Sequence, residues 1–215
     1  MTLVFNIRLL ESDSQIKKAI LDSIRDVLDS AISKSINKIR DELTNLTIEN
    51  IKREPEYMSL KNGQLRYEFG IPDTMVVDAV VGNICAGKVS RSPVRVNSRG
   101  VVGNIRYTII DGDTVDQSMN SQNGLVQDSK GYTMPWLKWL LTQGTSPIVK
   151  NFEVKLGPNP RSRTGMAIMV ESSDNWSVPA QFAGVQENNW ITRAISSIDE
   201  DAFFQIIQKN IEQNI

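Results

Sequence analysis

Asp111 and Asp113, one residue apart in "IIDGDTVDQ", are the first pair in this sequence with the types to share a proton or hold a cation. General acid–base work needs apolar enclosure to raise one carboxyl pKa, and these two lie in a polar, turn-rich stretch. A calcium loop needs twelve positions ending in a bidentate glutamate, which is missing here. Cys85 is the single cysteine, so an internal disulfide and a Cys cluster for zinc or iron–sulfur are both excluded; it reads as a small buried hydrophobe. The chain has no histidine, which removes the usual general base, the usual metal imidazole and the Ser-His-Asp and Cys-His arrangements together. Neither a phosphate-cradling glycine pattern nor a nucleophile elbow occurs. The expectation is no catalytic residue, no cofactor and no metal site.

Residue types suited to recognition are better represented. Arg161 and Arg163 follow two prolines that stiffen a turn, so they project from a defined place and can clamp a carboxylate. Trp176 and Trp190 flank a loop further on; core packing is the default for them, yet Trp and Arg are also enriched at interface centres. Formal charge is −1 overall but unevenly placed. Lys88, Arg91, Arg95, Arg99 and Arg106 share a segment with no acidic residue, and a second basic block ends at Arg163. From Glu171 onward acids outnumber Arg193 and Lys209. Such blocks meet either within one fold or between copies. Neither a basic helix nor an aromatic-basic platform of the known kinds is present, so DNA binding is not expected as the primary function.

The elements that position these residues begin with a long amphipathic helix. Ser12 and Gln15 form a capping box, and apolar residues from Ile16 through Ile20, Ile24, Val27, Ala31, Ile39 and Leu43 to Leu46 recur in steps of three and four, predicting a helix over 13–46. At roughly 50 Å it is longer than its own domain needs, so its stripe either lies wholly on its own core or extends in part to another chain. A short helix follows from Pro55, with a turn at Asn62-Gly63 and a stop at Gly70. The β-branched run Met75–Ile84 and the alternating "PVRV" and "VVGNIRYTIID" read as strands. Residues 111–130 read as a polar arm, a long exposed excursion or hairpin. A short helix after Pro135 ends at Gly144. "NFEVKL" and "MAIMV" form a hairpin, and 187–215 is a helical segment in which Ser197 and Glu200 suggest a second capping box. The order predicts one α+β domain over 1–215, a small twisted, mainly antiparallel sheet between a long N-terminal helix and a C-terminal helix. No stretch is long and apolar enough to span a bilayer, and "MTLVFNIRLLESDS" lacks the features of a secretory leader.

Three stretches together resemble a known family. The order "WLLTQGT", then "GPNPRSRTGMAIM", then "VPAQFAGVQENNWITRAI" before a terminal amphipathic helix is similar to the tail-completion and neck (head–tail joining) proteins of tailed bacteriophages, the lambda minor tail protein Z-like group. The family's Gly-Thr motif falls on Gly144 and Thr145, and its aromatic-hydrophobic-Arg-x-Ala motif on Trp190, Ile191, Arg193 and Ala194. "NGQLRYEFG" resembles its Gly-x-Leu-Arg stretch. This chain departs from the pattern by its length, by the polar 111–130 segment, and by Trp190-Ile191 where proline and phenylalanine are usual. The resemblance implies a non-enzymatic virion protein of the neck or tail junction, built in the host cytoplasm. It would form a ring, expected to have six copies, between head-side connector or adaptor proteins and tail terminator or tail tube proteins. DNA passes through such a ring without sequence-specific binding, and no membrane is involved. Arg91, Arg95, Arg99, Arg161, Arg163, Trp176, Trp190 and Arg193 are the candidates for the subunit or partner interface. The alternatives are a tail terminator or other tail-assembly protein, a stand-alone binding or assembly-chaperone protein, and a histidine-free metal-dependent enzyme.

Overall fold

The computed structural model describes residues 11–127 and 131–215. Residues 1–10, where no secretory leader is expected, and 128–130, the end of the expected arm, lie outside the described residues. Helix α1 spans Asp13–Lys52, and Ser12 begins it as expected: its Oγ accepts from Gln15 N while Gln15 Oε1 accepts from Ser12 N at 2.7 Å. Forty residues make it about 60 Å long, six residues beyond the predicted end.

Its buried row follows strict steps of four, Ala31, Ser35, Ile39, Leu43, Thr47 and Ile51. Two of these are polar, and their hydroxyls are satisfied: Thr47 Oγ1 donates to Leu43 O, and Ser35 Oγ lies 2.7 Å from both Ala31 O and Asn210 O. Small hydroxyl residues let the last helix approach α1 closely at this seam. Isoleucines at 32 and 36, placed on the stripe by their spacing, are only half-buried.

Helices α2 (Pro55–Asn62) and α3 (Gln64–Glu68) follow, and Gly70 stops the run with φ 63°. Met75–Ile84 is helix α4, which corrects the strand expectation. Val77, Val80, Val81 and Ile84 are all buried, and their spacing of three, four and seven fits one helix face. Packing there overrides the β preference of branched side chains.

Strands β1 (Lys88–Asn97) and β2 (Gly100–Thr108) form an antiparallel ribbon, with a register irregularity between Ser92 and Arg95. The 111–130 segment corrects a second expectation, because most of it is folded onto the domain. Helix α5 (Gly112–Asn120) is capped by Asp111 and followed by a 3₁₀ turn at Gln122–Gly124, with Ser118 and Gly124 buried. Trp136 Nε1 donates to Asn123 O at 2.9 Å, tying that turn to the core.

Short β3 (Val126–Gln127) and β4 (Thr133–Met134) pair beside helix α6 (Trp136–Thr142), and β5 (Phe152–Leu156) pairs with β6 (Ala167–Glu171) as the expected hairpin. Helices α7 (Trp190–Ser196) and α8 (Glu200–Glu212) end the described chain. Asp199 caps α8, and Ser197 is the C-terminal cap of α7, correcting the predicted Ser197 box. The fold is α+β, but its strands form three separate two-stranded antiparallel ribbons instead of one sheet. Helices α3, α4, α6 and α7 close around Phe69, Trp136 and Trp190 in one core.

Candidate assembly surface

Of the stretches quoted for the resemblance, those around Leu65, Gly144 and Trp190 lie at the core, whereas 157–169 is mostly exposed and buries only Ala167. Leu65 is buried, and the Arg66 guanidinium donates to the carbonyls of Ile71 at 3.3 Å and Pro72 at 3.2 Å, holding the turn around Gly70. Gly144, at φ 57°, donates its N–H to Gly184 O at 2.9 Å, so the end of α6 is pinned to the loop before α7. A non-glycine side chain is strained at that φ. On α7, Trp190, Ile191 and Ala194 point inward, and Asn189 caps the helix by accepting from Ile191 N and Thr192 N.

Arg193 leaves the same helix toward α2. Its Nη2 donates to Glu56 Oε1 at 2.5 Å and Glu54 Oε2 at 3.4 Å. Glu56 is 1% exposed, so its charge is compensated by a guanidinium from 137 residues away. Arg193, expected at an interface, makes this ion pair within the chain while its side chain stays 40% exposed. Trp176 and Trp190 are corrected, being buried in this chain's own core. Trp176 stacks edge-on against Phe69 and Trp139, with centroids 5.9 and 5.8 Å away, and its Nε1 donates to Glu68 Oε2 at 3.1 Å. Burial pushes the Glu68 carboxyl pKa up, against the pull of its Gln64 and Trp176 hydrogen bonds. Cys85 is fully buried as expected, and burial pushes its thiol up to about 12.

No family model, curated protein or solved structure matches the chain. The functional reading therefore stands on the surface itself.

Arg161 and Arg163 lie on the rim of a cleft of about 720 Å³ between α3 and the β5–β6 hairpin, where Val154, Ile168 and Met169 are apolar lining. Arg163 Nη1 donates to Gly70 O at 3.3 Å, which fixes that rim, and Arg161 is exposed. The three interface candidates on the ribbon divide. Arg91 Nη1 donates to Asp29 Oδ1 at 2.6 Å and is spent within the fold, whereas Arg95 and Arg99 are exposed and form no ion pair among the described residues. The eight candidates thus fall into a ribbon, a cleft rim and a core, and do not make one contiguous patch.

Asp29 was missed in the sequence because nothing local marks it. Its pKa is held below the usual carboxylate value first by the Val94 N–H and then by Arg91, against a smaller effect of burial. Lys88 and Asp111 pair at 2.6 Å; that contact raises the lysine pKa and, with the Asp113 N–H, lowers the aspartate's. Asp111 is therefore a helix cap and a salt-bridge partner.

The most exposed apolar surface on α1 lies on its N-terminal half. Ile20, Ile24 and Val27 are 55%, 43% and 45% exposed and stand at steps of four and three, so they form one stripe. The contacts of α1 with α7 and α8 gather on its other half, where the buried row runs from Ala31 to Ile51. Among the described residues no group of three acidic or cysteine side chains is placed to hold a metal, and no helix is long and apolar enough to cross a membrane.

Proposed function

We propose that this chain is a structural virion protein of a tailed phage. In this reading six copies form a ring in the neck, joining head-side connector or adaptor proteins to the tail terminator or tail tube around the DNA channel. The observation that carries the reading is the uncovered Ile20–Ile24–Val27 stripe on a helix of about 60 Å. Water contact with such a stripe is unfavourable at about 25 cal/mol per Å² of apolar area, so a neighbouring copy that covers it gains stability. In a ring the stripe of one copy meets a different part of the next, a head-to-tail contact. A head-to-tail contact closes into a ring when its rotation divides a full turn. The Arg161–Arg163 rim supplies a second, charged contact that orients neighbours more than it holds them. The motifs shared with the neck and tail-completion group then maintain the core from which these surfaces project.

Native mass spectrometry of the purified chain, alone and with disrupted particles as template, tests the assembly. Closed rings of six are expected, lost in Ile20→Asp/Ile24→Asp while the monomer stays folded. Rings that persist in that variant contradict the assignment of the stripe. A monomer under every condition contradicts the ring.

A further inference from the structure

The outward face of the β1–β2 ribbon carries a charge pattern that the Ile20–Ile24–Val27 stripe and the Arg161–Arg163 rim leave free. Register assigns the two faces. Val89 opposite Tyr107 and Arg91 opposite Ile105 look toward α1 and α8, where Arg91 meets Asp29 and the Tyr107 ring packs 6.2 Å from Phe203 on α8. The irregularity between Ser92 and Arg95 turns Val94 inward, where it is buried, and leaves Arg95 outward opposite Val102. The opposite face is therefore made of Ser90 with Arg106, Ser92 with Asn104, and Arg95 with Val102, and Arg99 sits at the tip. Arg95, Arg99 and Arg106 are exposed and form no ion pair among the described residues. No acidic residue lies anywhere in 88–110. Two acids that reach the ribbon from outside it, Asp29 and Asp111, are already engaged by Arg91 and Lys88.

We infer that this face is a sequence-independent contact for the phosphate backbone of duplex DNA, with Arg95, Arg99 and Arg106 as the phosphate-binding cations. Three features favour that partner over an acidic protein. The centre of a protein interface is apolar and poor in charge, and this face offers one exposed valine among arginine, serine and asparagine. Serine and asparagine side chains, with arginine, are the groups that hydrogen-bond phosphate and sugar. A two-stranded ribbon also has the width to enter a major groove. Between Arg106 and the Arg95–Val102 pair the ribbon runs about 13 Å, and a duplex carries about one charge per 1.7 Å of its axis. Several phosphates therefore lie within reach of the three cations. The inference rests on the ribbon alone, so a chain that binds duplex without forming rings, or the reverse, separates it from the neck reading.

The test is fluorescence anisotropy of a labelled short duplex, in two unrelated sequences, titrated with the full chain at low salt. Three phosphate contacts give a log–log salt slope near −2.7, so raising salt from about 20 to about 80 mM weakens binding roughly 40-fold, equally for both sequences. Arg95→Ala/Arg99→Ala/Arg106→Ala is expected to bring the slope close to zero, and the matching triple lysine variant to keep it. Lys150→Ala/Lys155→Ala, on another part of the surface, should leave it unchanged. Absence of binding by the wild-type chain overturns the inference, as does an unchanged slope in the triple alanine variant. Loss of binding in a folded triple lysine variant also overturns it, since the contact would then not be one of charge. Binding of poly-glutamate more tightly than duplex at equal charge concentration overturns it in favour of an acidic protein partner.

Discussion

Asp29 on α1 accepts a hydrogen bond from Arg91 on β1 at 2.6 Å, and the same carboxylate oxygen accepts from the Val94 N–H at 3.0 Å. One side chain thus fastens the ribbon to the long helix at the point where β1 is irregular. Removing it in Asp29→Ala should free the ribbon without unfolding the domain, because the contact is at the surface and the main core lies elsewhere. Hydrogen exchange of amides in 88–108 should accelerate by an order of magnitude or more, with exchange in α4 and α6 unchanged. Equal acceleration in all three regions would contradict a local latch.

The same latch carries a pH signature. A carboxyl whose folded pKa is depressed adds stability above its unfolded value, near 3.9, and that contribution is lost as pH falls through the folded value. Asp29 is such a group, with Val94 N–H and Arg91 as the main causes. The thermal midpoint of the wild-type chain should exceed that of Asp29→Asn at neutral pH, and the gap should close below about pH 4. A gap that stays constant down to pH 2 would show that the charge is not what matters.

Arg193 and Glu56 supply a sharper stability test. Arg193→Ala leaves the Glu56 carboxylate buried without its cation, and removing one partner of a buried pair costs about 3 kcal/mol, taken at the low end because the arginine is partly exposed. Arg193→Met with Glu56→Leu should recover most of that loss, since no charge is then left in the core. Urea denaturation of the single and double variants checks both statements. A double variant no more stable than the single would mean that the pair also fixes packing between α2 and α7.

The segment expected to be an arm gives a test in its glycines. A Cβ at Gly124 would land on the Ser118 carbonyl oxygen and 2.9 Å from that of Met119, so Gly124→Ala should cost about 1–3 kcal/mol through forced backbone shifts. Gly112 has nothing within 4 Å, and Gly112→Ala should be neutral or stabilising by up to about 1 kcal/mol. Chemical denaturation separates the two. Equal, negligible effects would restore the reading of a free excursion.

How much of this was legible follows from the range over which each signal acts. The capping box of α1, Gly70, Gly144 and the β5–β6 hairpin are local signals, and each marks the structural feature read from it. Met75–Ile84 misled because side-chain branching and helical spacing pointed in opposite directions, and burial of Val77, Val80, Val81 and Ile84 decided for the helix. The polar 111–124 stretch hid a helix whose packing depends on a few side chains, Val115, Ser118 and Met119, too few to set a visible period. Trp176 and Trp190 could not be sorted by type, since the same ring area serves a core or an interface. The partners of Arg91 and Arg193 lie 62 and more than 130 residues away, beyond any pattern a single sequence displays.

Locating the chain within a phage particle tests most directly the proposal that its exposed surfaces serve assembly. Cryo-electron microscopy of purified virions carrying this polypeptide should reveal one ring of six copies between the head-side connector and the tail, with the Ile20–Ile24–Val27 stripe of each subunit covered by the next. A map that accounts for the neck without this chain, or that finds its stripe facing solvent in the assembled ring, would contradict the account.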